Sequence, residues 1–227
     1  MANTKPGRNH ETMRSAILHT AAKLFLQKGY TATTLKEIAA GAQINIGSLM
    51  NLFKSKEDLL CDLVTYVLER QFTTAAKLVA GKTEDKILFY AAETTLQLHM
   101  AESNENVRDL YAAAYSMPKT SSIIQHAITD KLEMVFKESL PHLETKDFYK
   151  LEIASGGIMR GFMTIPCDMW FTMEQKVQSF LETTFLVYRV PDAKINEAIQ
   201  FVSQFDYPKI AQETIEQMLV YLEQTTM

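Results

Sequence analysis

Apolar residues recur at intervals of three and four along almost the whole chain, the period of amphipathic α-helices. The first predicted helix covers about 11–28, carries Ile17, Ala21, Leu24 and Phe25 on one stripe and ends at Gly29. Later helices are predicted at about 55–80, 84–101, 104–116, 120–140, 146–165, 172–189, 191–205 and from Pro208 onward. Because no strand patterns joined by hairpin turns occur, the predicted fold class is all-α.

Between the first two long helices, Thr33–Phe53 carries the signals of two short helices joined by a tight turn. Thr34 and Glu37 match a capping box, and Asn45 is a good residue to begin the second helix. Gly41 is predicted to form the turn, because glycine adopts a positive φ without a Cβ clash. The apolar faces of the two short helices carry Leu35, Ile38 and Ala39, then Ile46, Leu49 and Phe53.

A helix-turn-helix of this kind leaves one face of its second helix free to enter a DNA major groove. That face is predicted to carry Gln43, Asn45, Ser48 and Asn51, whose side chains can bond base edges or phosphates. The next helix opens with a second capping box at Ser55, and Lys56 in its first turn suits a phosphate. The alternative interpretation is an ordinary helical hairpin inside a bundle.

Charge is unevenly distributed along the chain, whose formal net charge is −4. Residues 1–60 contain eight Lys and Arg against four acids, a net +4, which leaves −8 for the remainder. A basic head on an acidic body favours contact between the head and phosphate. Residues 1–9, with Lys5 and Arg8, form either a basic arm that touches DNA or a solvated terminus.

The block from Arg14 to Leu60 resembles the tetracycline-repressor (TetR) family of transcriptional regulators. The matching residues are Ala21, Ala22, Leu24, Phe25, Lys28, Gly29, Tyr30, Thr33, Thr34, Ile38, Ala39, Gly47, Phe53, Lys56 and Glu57. The resemblance implies a three-helix DNA-binding domain at 1–57 and a larger helical effector-binding and dimerisation domain at 58–227. It also implies a dimeric repressor that binds palindromic operator DNA and is released by a small molecule.

The candidate DNA-binding residues lie on the hairpin and its flanks. They are Thr33, Thr34, Lys36, Gln43, Asn45, Ile46, Gly47, Ser48, Met50, Asn51, Lys54 and Lys56. Two positions depart from the family pattern, which usually has tyrosine at Met50 and often histidine at Leu52. Since methionine donates no hydrogen bond, packing or an apolar contact is expected at Met50.

Two late helices, at about 148–165 and 173–189, are predicted to form a homodimer interface. The first carries Ile153, Gly156, Gly157 and Arg160, and its glycines permit close helix approach. The second carries an apolar ridge of Val177, Phe180, Leu181, Thr184, Phe185 and Tyr188. Packing inside one chain is the alternative. In the family, two such helices from each subunit form a four-helix interface.

The middle helices are predicted to enclose an effector cavity, because methionine and aromatic side chains line adaptable apolar pockets. The candidate effector-binding residues are His99, Tyr111, Tyr115, Met159, Met163 and Trp170, with Met100, Met134 and Phe162 as further lining. Ordinary core packing is the alternative for each of them. Arg160 would pair with an acidic effector or with an acid such as Glu152.

Several other classes of protein find no support in the sequence. It has no Gly-rich phosphate loop, no Gly-x-Ser-x-Gly elbow, no His-Glu-x-x-His and no paired metal ligands, and Glu152, Asp168 and Glu174 are interpreted as scattered surface acids. No enzyme activity, cofactor or metal is therefore expected. With two distant cysteines, no signal peptide and no long apolar run, a cytoplasmic protein without a membrane span is predicted. A helical module that binds protein rather than DNA is the remaining rival.

Overall fold

The computed structural model describes residues 6–224, in which eleven α-helices and no strands occur. The helices are α1 (Pro6–Lys28), α2 (Leu35–Gly41), α3 (Ile46–Leu52), α4 (Lys56–Val79), α5 (Lys86–Glu102), α6 (Glu105–Ser116), α7 (Pro118–Phe136), α8 (Thr145–Thr164), α9 (Met173–Val187), α10 (Asp192–Val202) and α11 (Tyr207–Gln224). The all-α prediction is confirmed. Helix α1 begins five residues earlier than predicted, and Lys5 of the predicted arm lies outside the described residues.

Helices α1–α3 and the first half of α4 form a small head with its own hydrophobic core. Ile17, Phe25, Ile38, Leu49 and Phe53 are completely or almost completely buried there. The predicted caps are confirmed, since the side chains at the start of α2, α3 and α4 each accept a hydrogen bond from a backbone N–H of the first helical turn. The short helices of the head are thus fixed by both capping and burial.

The turn between α2 and α3 differs from the prediction. Gly41 is the last residue of α2, and the residue with a positive φ is Gln43, at 56°. A Cβ atom at Gly41 would lie 2.7 Å from the side-chain methyl of Thr20. Glycine is therefore required at position 41 because α1 and α2 approach closely, and not because of its backbone conformation.

The larger body is arranged around α5. Every side chain from Ala91 to Leu98 is buried, because α4, α7, α8, α9, α10 and α11 surround this helix. A helix buried on all sides has no polar face and therefore no amphipathic period. Polar residues on this stretch, such as Glu93 and Gln97, are consequently inside the protein.

Helix α4 connects the head with the body. Its 24 residues span about 36 Å. Leu59, Leu60 and Leu63 of its first half belong to the core of the head, whereas Phe72 and Val79 lie against the body. The boundary predicted at 57/58 falls in the first turn of this continuous helix, and these domain limits stay a prediction.

The start of α7 also departs from the sequence interpretation. The helix begins at Pro118, which suits the first turn because proline there loses no helical hydrogen bond. Thr120 does not cap it. Its hydroxyl is buried and donates to the carbonyl oxygen of Ala114, 2.6 Å away, so that it joins α7 to α6.

The apolar ridge of α9 faces the chain's own core. Val177, Phe180, Leu181, Thr184 and Phe185 are all buried, and Tyr188 just after the helix is buried with them. The prediction that this ridge forms a subunit interface is wrong, because the ridge packs against the other helices of the body. Any contact with another subunit must use the opposite face of α9.

A buried ion pair fixes the α8–α9 connection to α5. The ammonium of Lys176, 1% exposed, lies 2.6 Å from a carboxylate oxygen of Glu102 and donates to the carbonyl oxygen of Ile165. Glu102 also pairs with Arg108 at 2.7 Å. The buried lysine is thus neutralised and hydrogen-bonded, which burial of a charge requires.

We predict that Gly41→Ala destabilises the protein by about 1–2 kcal/mol, because the added methyl group overfills the contact with Thr20. Thr20→Ser, which removes the facing methyl group but keeps the hydroxyl, should recover most of this loss in the double variant. Urea unfolding of the four proteins forms a double-mutant cycle. Equal stability of Gly41→Ala and the parent would contradict the close-contact explanation.

Candidate nucleic-acid interface and body cavity

One side of the helix-turn-helix presents a continuous exposed surface, here called the α3 face. Its members on the turn and on α3 are Gln43, Asn45, Ile46, Gly47, Met50 and Asn51, with Lys36 and Lys54 at its borders. The opposite side of α3 anchors it, since Leu49 and the following Phe53 are buried in the head core. The α3 face is therefore rigidly presented to solvent.

Two of the exposed residues on this face are apolar. Ile46 is 39% exposed and Met50 is 42% exposed. The prediction that Ile46 shares the buried apolar face with Leu49 is wrong, because the first turn of α3 projects beyond the head core. Met50 is therefore accessible for the predicted apolar contact. Leu52 is partly buried against the head core.

Two predicted DNA-binding residues, Asn45 of the α3 face and Thr34 before α2, have a structural role as helix caps. The side-chain oxygen of Asn45 accepts a hydrogen bond from the backbone N–H of Ser48 at 2.7 Å, which leaves only its amide NH₂ group for other partners. Thr34, likewise, caps α2 and exchanges hydrogen bonds with Glu37. Any contact of Thr34 or Asn45 with DNA would have to form while their capping hydrogen bonds are kept.

Lys56 does not have the free ammonium that the sequence analysis assumed. Its Nζ donates to the carbonyl oxygens of Tyr30 and Thr33, at 2.6 and 2.8 Å, and lies over the Tyr30 ring. Burial lowers the pKa of this lysine. Thr33 is itself buried and donates to the carbonyl oxygen of Gly29. Both side chains therefore stabilise the α1–α2 connection and are turned away from the surface.

The remaining cations of the head fall into two groups. Arg14 pairs with Asp62, and Lys28 pairs with Glu37. Lys23, Lys36 and Lys54 are exposed and have no ion-pair partner among residues 6–224. The positive charge that is free to meet phosphate thus comes from the second group.

The body contains a cavity of about 540 Å³, here called the body cavity. It lies between α4, α5, α6, α7, α8 and α9, and exposed residues of the α4–α5 connection border it at what is here called its mouth. Aromatic side chains form much of its wall, namely Phe72, Phe89, Tyr90, Tyr115 and Phe180. A volume of this size accommodates a drug-sized molecule.

Two carboxyl groups lie in the wall of the body cavity. Glu93 of α5 and Glu152 of α8 are each only 4% exposed. Glu152 accepts a hydrogen bond from the hydroxyl of Ser155 at 3.0 Å, and Ser155 in turn accepts one from Tyr188 at 2.7 Å. Within the described part of the chain, Glu93 has neither an ion-pair partner nor a hydrogen-bond partner for its carboxyl group.

Burial determines the protonation of both acids. Desolvation raises the pKa of Glu93 to about 8. It also raises the pKa of Glu152 to about 8, although the Ser155 hydrogen bond opposes the shift. Both groups are therefore largely neutral at pH 7 when nothing else occupies the cavity.

The head touches the body at the first half of α6 and at the start of α7. The carboxylate of Asp109 accepts hydrogen bonds from the backbone N–H and the hydroxyl of Thr31, both at 2.7 Å. The backbone N–H of Lys119 donates to Glu57 at 2.7 Å, and its ammonium pairs with Asp58 at 2.6 Å. Helices α6 and α7 thus hold the head at two points.

Comparison with known proteins places the head in a known family. The model of the family "Bacterial regulatory proteins, tetR family" matches residues 17–63. The chain is 30% identical over 111 residues to YuxN, an uncharacterized HTH-type transcriptional regulator of Bacillus subtilis (strain 168), covering 49% of this chain and 38% of that protein. It is 34% identical over 82 residues to the transcriptional repressor KstR2 of Rhodococcus jostii (strain RHA1), covering 36% and 40%. The chain therefore spans well under two thirds of these two relatives.

The fold of the whole chain has solved counterparts. The crystal structure of RolR in complex with resorcinol covers 88% of this chain and 97% of its own, with a TM-score of 0.66 at 16% identity. SmeT, the repressor of a Stenotrophomonas maltophilia multidrug efflux pump, covers 79% and 91%, with a TM-score of 0.54 at 19% identity. The head of this chain is therefore a TetR-family domain.

Only two of the six predicted effector residues, Tyr115 and Met159, line the body cavity. Met134, which was predicted as further lining, also reaches it. The other four lie elsewhere. Trp170 is 80% exposed on the α8–α9 connection, and Met163 is buried in the core of the body.

His99 and Tyr111 serve in packing. His99 stacks on Tyr207, and burial lowers its pKa to about 4. The Tyr111 hydroxyl accepts a hydrogen bond from Gln71 at 2.5 Å beside a small apolar pocket of about 90 Å³. Arg160 is exposed and lines an adjoining cleft of about 310 Å³, which shares Tyr115, Glu152 and Gly156 with the body cavity.

The sequence analysis missed the two acids in the wall of the body cavity. It took Glu152 for a surface acid and did not single out Glu93. A signal for Glu93 exists in the run Ala91–Leu98, where an acid interrupts a stretch too apolar for an exposed helix. Long-range packing decides the burial of Glu152, and the local sequence does not reveal it.

No helix among residues 6–224 is both long and apolar enough to cross a membrane. In the same residues, His, Cys, Asp and Glu side chains form no group of three or more that could hold a metal ion. Cys61 and Cys167 are free thiols.

We predict that stability falls as pH rises from 6.5 to 8. The two cavity acids have a folded pKa raised above the unfolded value, so their contribution is complete below about pH 4.5 and is lost as pH rises through 8. The slope is up to about 1.4 kcal/mol per pH unit for each acid. His99 acts in the opposite sense, because its lowered pKa favours the fold above pH 6.5 and loses that effect toward pH 4.

Urea unfolding at several pH values checks this prediction. Glu93→Gln should reduce the slope between pH 6.5 and 8, and the Glu93→Gln/Glu152→Gln double variant should nearly abolish it. Glu84→Gln, which alters an exposed acid at the cavity mouth, is the matched control and should leave the slope unchanged. An unaltered slope in the double variant would show that neither acid is buried in its neutral form.

Proposed function

We propose that this protein is a transcriptional regulator that binds palindromic operator DNA as a homodimer and is released from it by a small molecule. The observation that carries the proposal is that one helix, α4, belongs both to the core under the α3 face and to the wall of the body cavity. A ligand that changes the position of α4 necessarily acts on the head. The names of relatives agree with this role, since KstR2 is a transcriptional repressor.

The α3 face supplies the chemistry for reading DNA. With α3 in the major groove, Asn51 and the amide of Asn45 would bond base edges, while Met50 and Ile46 would contact thymine methyl groups. Lys36 and Lys54 at the borders would bind phosphates on either side. Ile46 and Met50 therefore favour an operator that presents thymine methyl groups to the first turn of α3.

A dimer is required because one short helix contacts too few base pairs for selective binding. The outward faces of α8 and α9 are the proposed interface. On α8 this face carries Ile153 together with Ala154, Gly157 and Gly161, and on α9 it carries Leu186, 66% exposed. The small residues permit close helix approach. Gly156, by contrast, lines the body cavity.

The body cavity is the proposed effector site, and the contacts of α6 and α7 with the head are the proposed route of its effect. Tyr115, in the last turn of α6, forms part of the cavity wall and accepts a hydrogen bond from Gln97 of α5 at 2.6 Å. Asp109 on the same helix holds Thr31 of the head. Ligand that displaces α6 or α4 would change the separation of the two heads in a dimer and so lower operator affinity. RolR was crystallised with the ligand resorcinol, which shows that a protein of this fold binds a small aromatic molecule.

We predict that Lys36→Gln and Lys54→Gln each weaken binding to an operator obtained by in vitro selection from random DNA. Each change should reduce the slope of log affinity against log salt by about 1, because one phosphate contact is lost. Lys77→Gln, at an exposed position in the last turn of α4, is the charge-matched control and should have no effect. Failure to select any sequence, or binding without salt dependence, would reject the DNA-binding function and favour a protein-binding module.

We predict that Gly157→Phe raises the dimer dissociation constant at least about tenfold by overfilling the proposed interface. A Cβ atom at Gly157 meets no other atom of the chain within 4 Å, so the monomer should fold normally. Ala193→Phe, on the exposed start of α10, is the control. Sedimentation equilibrium measures both, and an unchanged constant for Gly157→Phe would move the interface away from α8.

A further inference from the structure

The chemistry of the body cavity is unusual because it contains buried acid without buried base. Elsewhere in this protein a buried charge is paired, as Lys176 is with Glu102 at 2.6 Å. Glu93 and Glu152 have no cation within ion-pairing distance in the described residues. Burying a carboxyl group without such a partner costs stability, so its retention calls for a functional reason.

The cations at the cavity do not neutralise these acids, and Arg160, which lines the adjoining cleft together with Glu152, forms no ion pair with it. Lys86 and Lys131 are exposed residues at the border of the cavity. Lys86 pairs with Glu138 at 2.8 Å, and the ammonium of Lys131 lies 5.1 Å from the centre of the Phe72 ring. The positive charge complementary to Glu93 and Glu152 is therefore left for a molecule that enters the cavity.

The aromatic walls suit the same kind of molecule. Phe72, Phe89, Tyr90, Tyr115 and Phe180 surround the space between the two acids and the mouth. Aromatic faces attract cations, most strongly when water is excluded, and they also bind apolar groups. An inorganic cation would leave these faces without a contact, whereas an organic cation would use both the faces and the carboxylates.

We propose that the effector of this regulator is an organic cation with apolar or aromatic substituents, whose charged centre binds Glu93 and Glu152. This inference rests on the proposed function only in naming the ligand as the effector. An anion of equal size is disfavoured, because it would be repelled by either acid that ionises and would gain no ion pair from the protonated forms. A neutral molecule would likewise leave both acids protonated and form no ion pair with them.

The protonation of the acids gives the proposal a distinct signature. Because burial raises the pKa of both acids to about 8, they are largely protonated in the empty cavity at pH 7. Binding of a permanent cation favours the carboxylate form, and the carboxyl proton is released to the buffer. The other titratable groups facing the cavity are Tyr90, Tyr115 and Lys131 on its walls, with Glu84, Asp85 and Lys86 at its mouth.

Isothermal titration calorimetry of the full-length protein, without DNA, tests the proposal. The probes are tetraphenylphosphonium and tetraphenylborate, ions of nearly equal size and opposite charge, and a flatter pair, trimethyl(naphthylmethyl)ammonium and naphthylacetate. In at least one pair the cation should bind about tenfold or more tightly than the anion. Titration at pH 7 in buffers of different ionisation enthalpy should show net proton release.

Variants locate the binding to the two acids. Glu93→Gln and Glu152→Gln should each weaken cation binding about tenfold and reduce the proton release. Glu84→Gln removes the same charge at the exposed mouth and should change affinity less than about twofold, because water screens that position. Circular dichroism verifies that each variant is folded, and each of the two acids provides an independent test.

The outcomes separate this inference from the proposed function. No binding of either cation, cation affinities equal to those of the anions, or undiminished cation binding in both glutamine variants would overturn the inference. Operator binding is then measured with and without the cation that binds. Cation binding that leaves operator affinity unchanged supports the chemistry of the cavity but overturns its identification as the effector site.

Discussion

Helix α4 is a member of two hydrophobic cores at once, and the rest of the molecule depends on this constraint. Leu59, Leu60 and Leu63 are buried under the helix-turn-helix, while Phe72 and Val79 form a wall of the body cavity. A helix is stiff over the roughly 36 Å that α4 spans, and each close-packed core resists continuous deformation. The head cannot move independently of the cavity wall, and a change at the cavity is transmitted as a change in the orientation of α4. The hydrogen bonds of α6 and α7 to the head act in parallel with it.

How far the sequence predicts this architecture depends on the range of the interactions involved. The caps at Thr34, Asn45 and Ser55 were predicted correctly, because a cap depends on residues no more than three positions apart. The packing partner of the α9 ridge was predicted wrongly. An apolar face shows that a helix is covered, but it does not show whether its own chain or a second subunit covers it. The same limit applies to the effector site. Tyr115 and Met159 line the cavity but Met163 and Trp170 do not, and only the packing of six helices decides which.

The two ends of the molecule use charge in opposite ways. The sequence of the head has a net positive charge, but in the structure Arg14, Lys28 and Lys56 form contacts within the protein. What remains for a nucleic acid is a small number of lysines around a partly apolar α3 face. Counterion release then contributes modestly, and selectivity must come from base-edge and methyl contacts made by a well-anchored helix. A count of Lys and Arg along the sequence therefore overestimates the electrostatic part of binding.

In the body the situation is reversed. The cavity contains acids that the protein's own cations do not neutralise. In the empty state, Glu93 and Glu152 are kept neutral by protonation, which lowers stability as pH rises toward 8. A ligand that supplies the missing charge removes this penalty and stabilises the conformation in which the cavity closes around it. The free energy of ligand binding can then favour one position of α4 over another. The ligand shifts the equilibrium between two head orientations only by the difference in its affinity for the two. Because α4, α5 and α8 all line the cavity, the affinity for a ligand that is held by Glu93 and Glu152 depends on the position of α4.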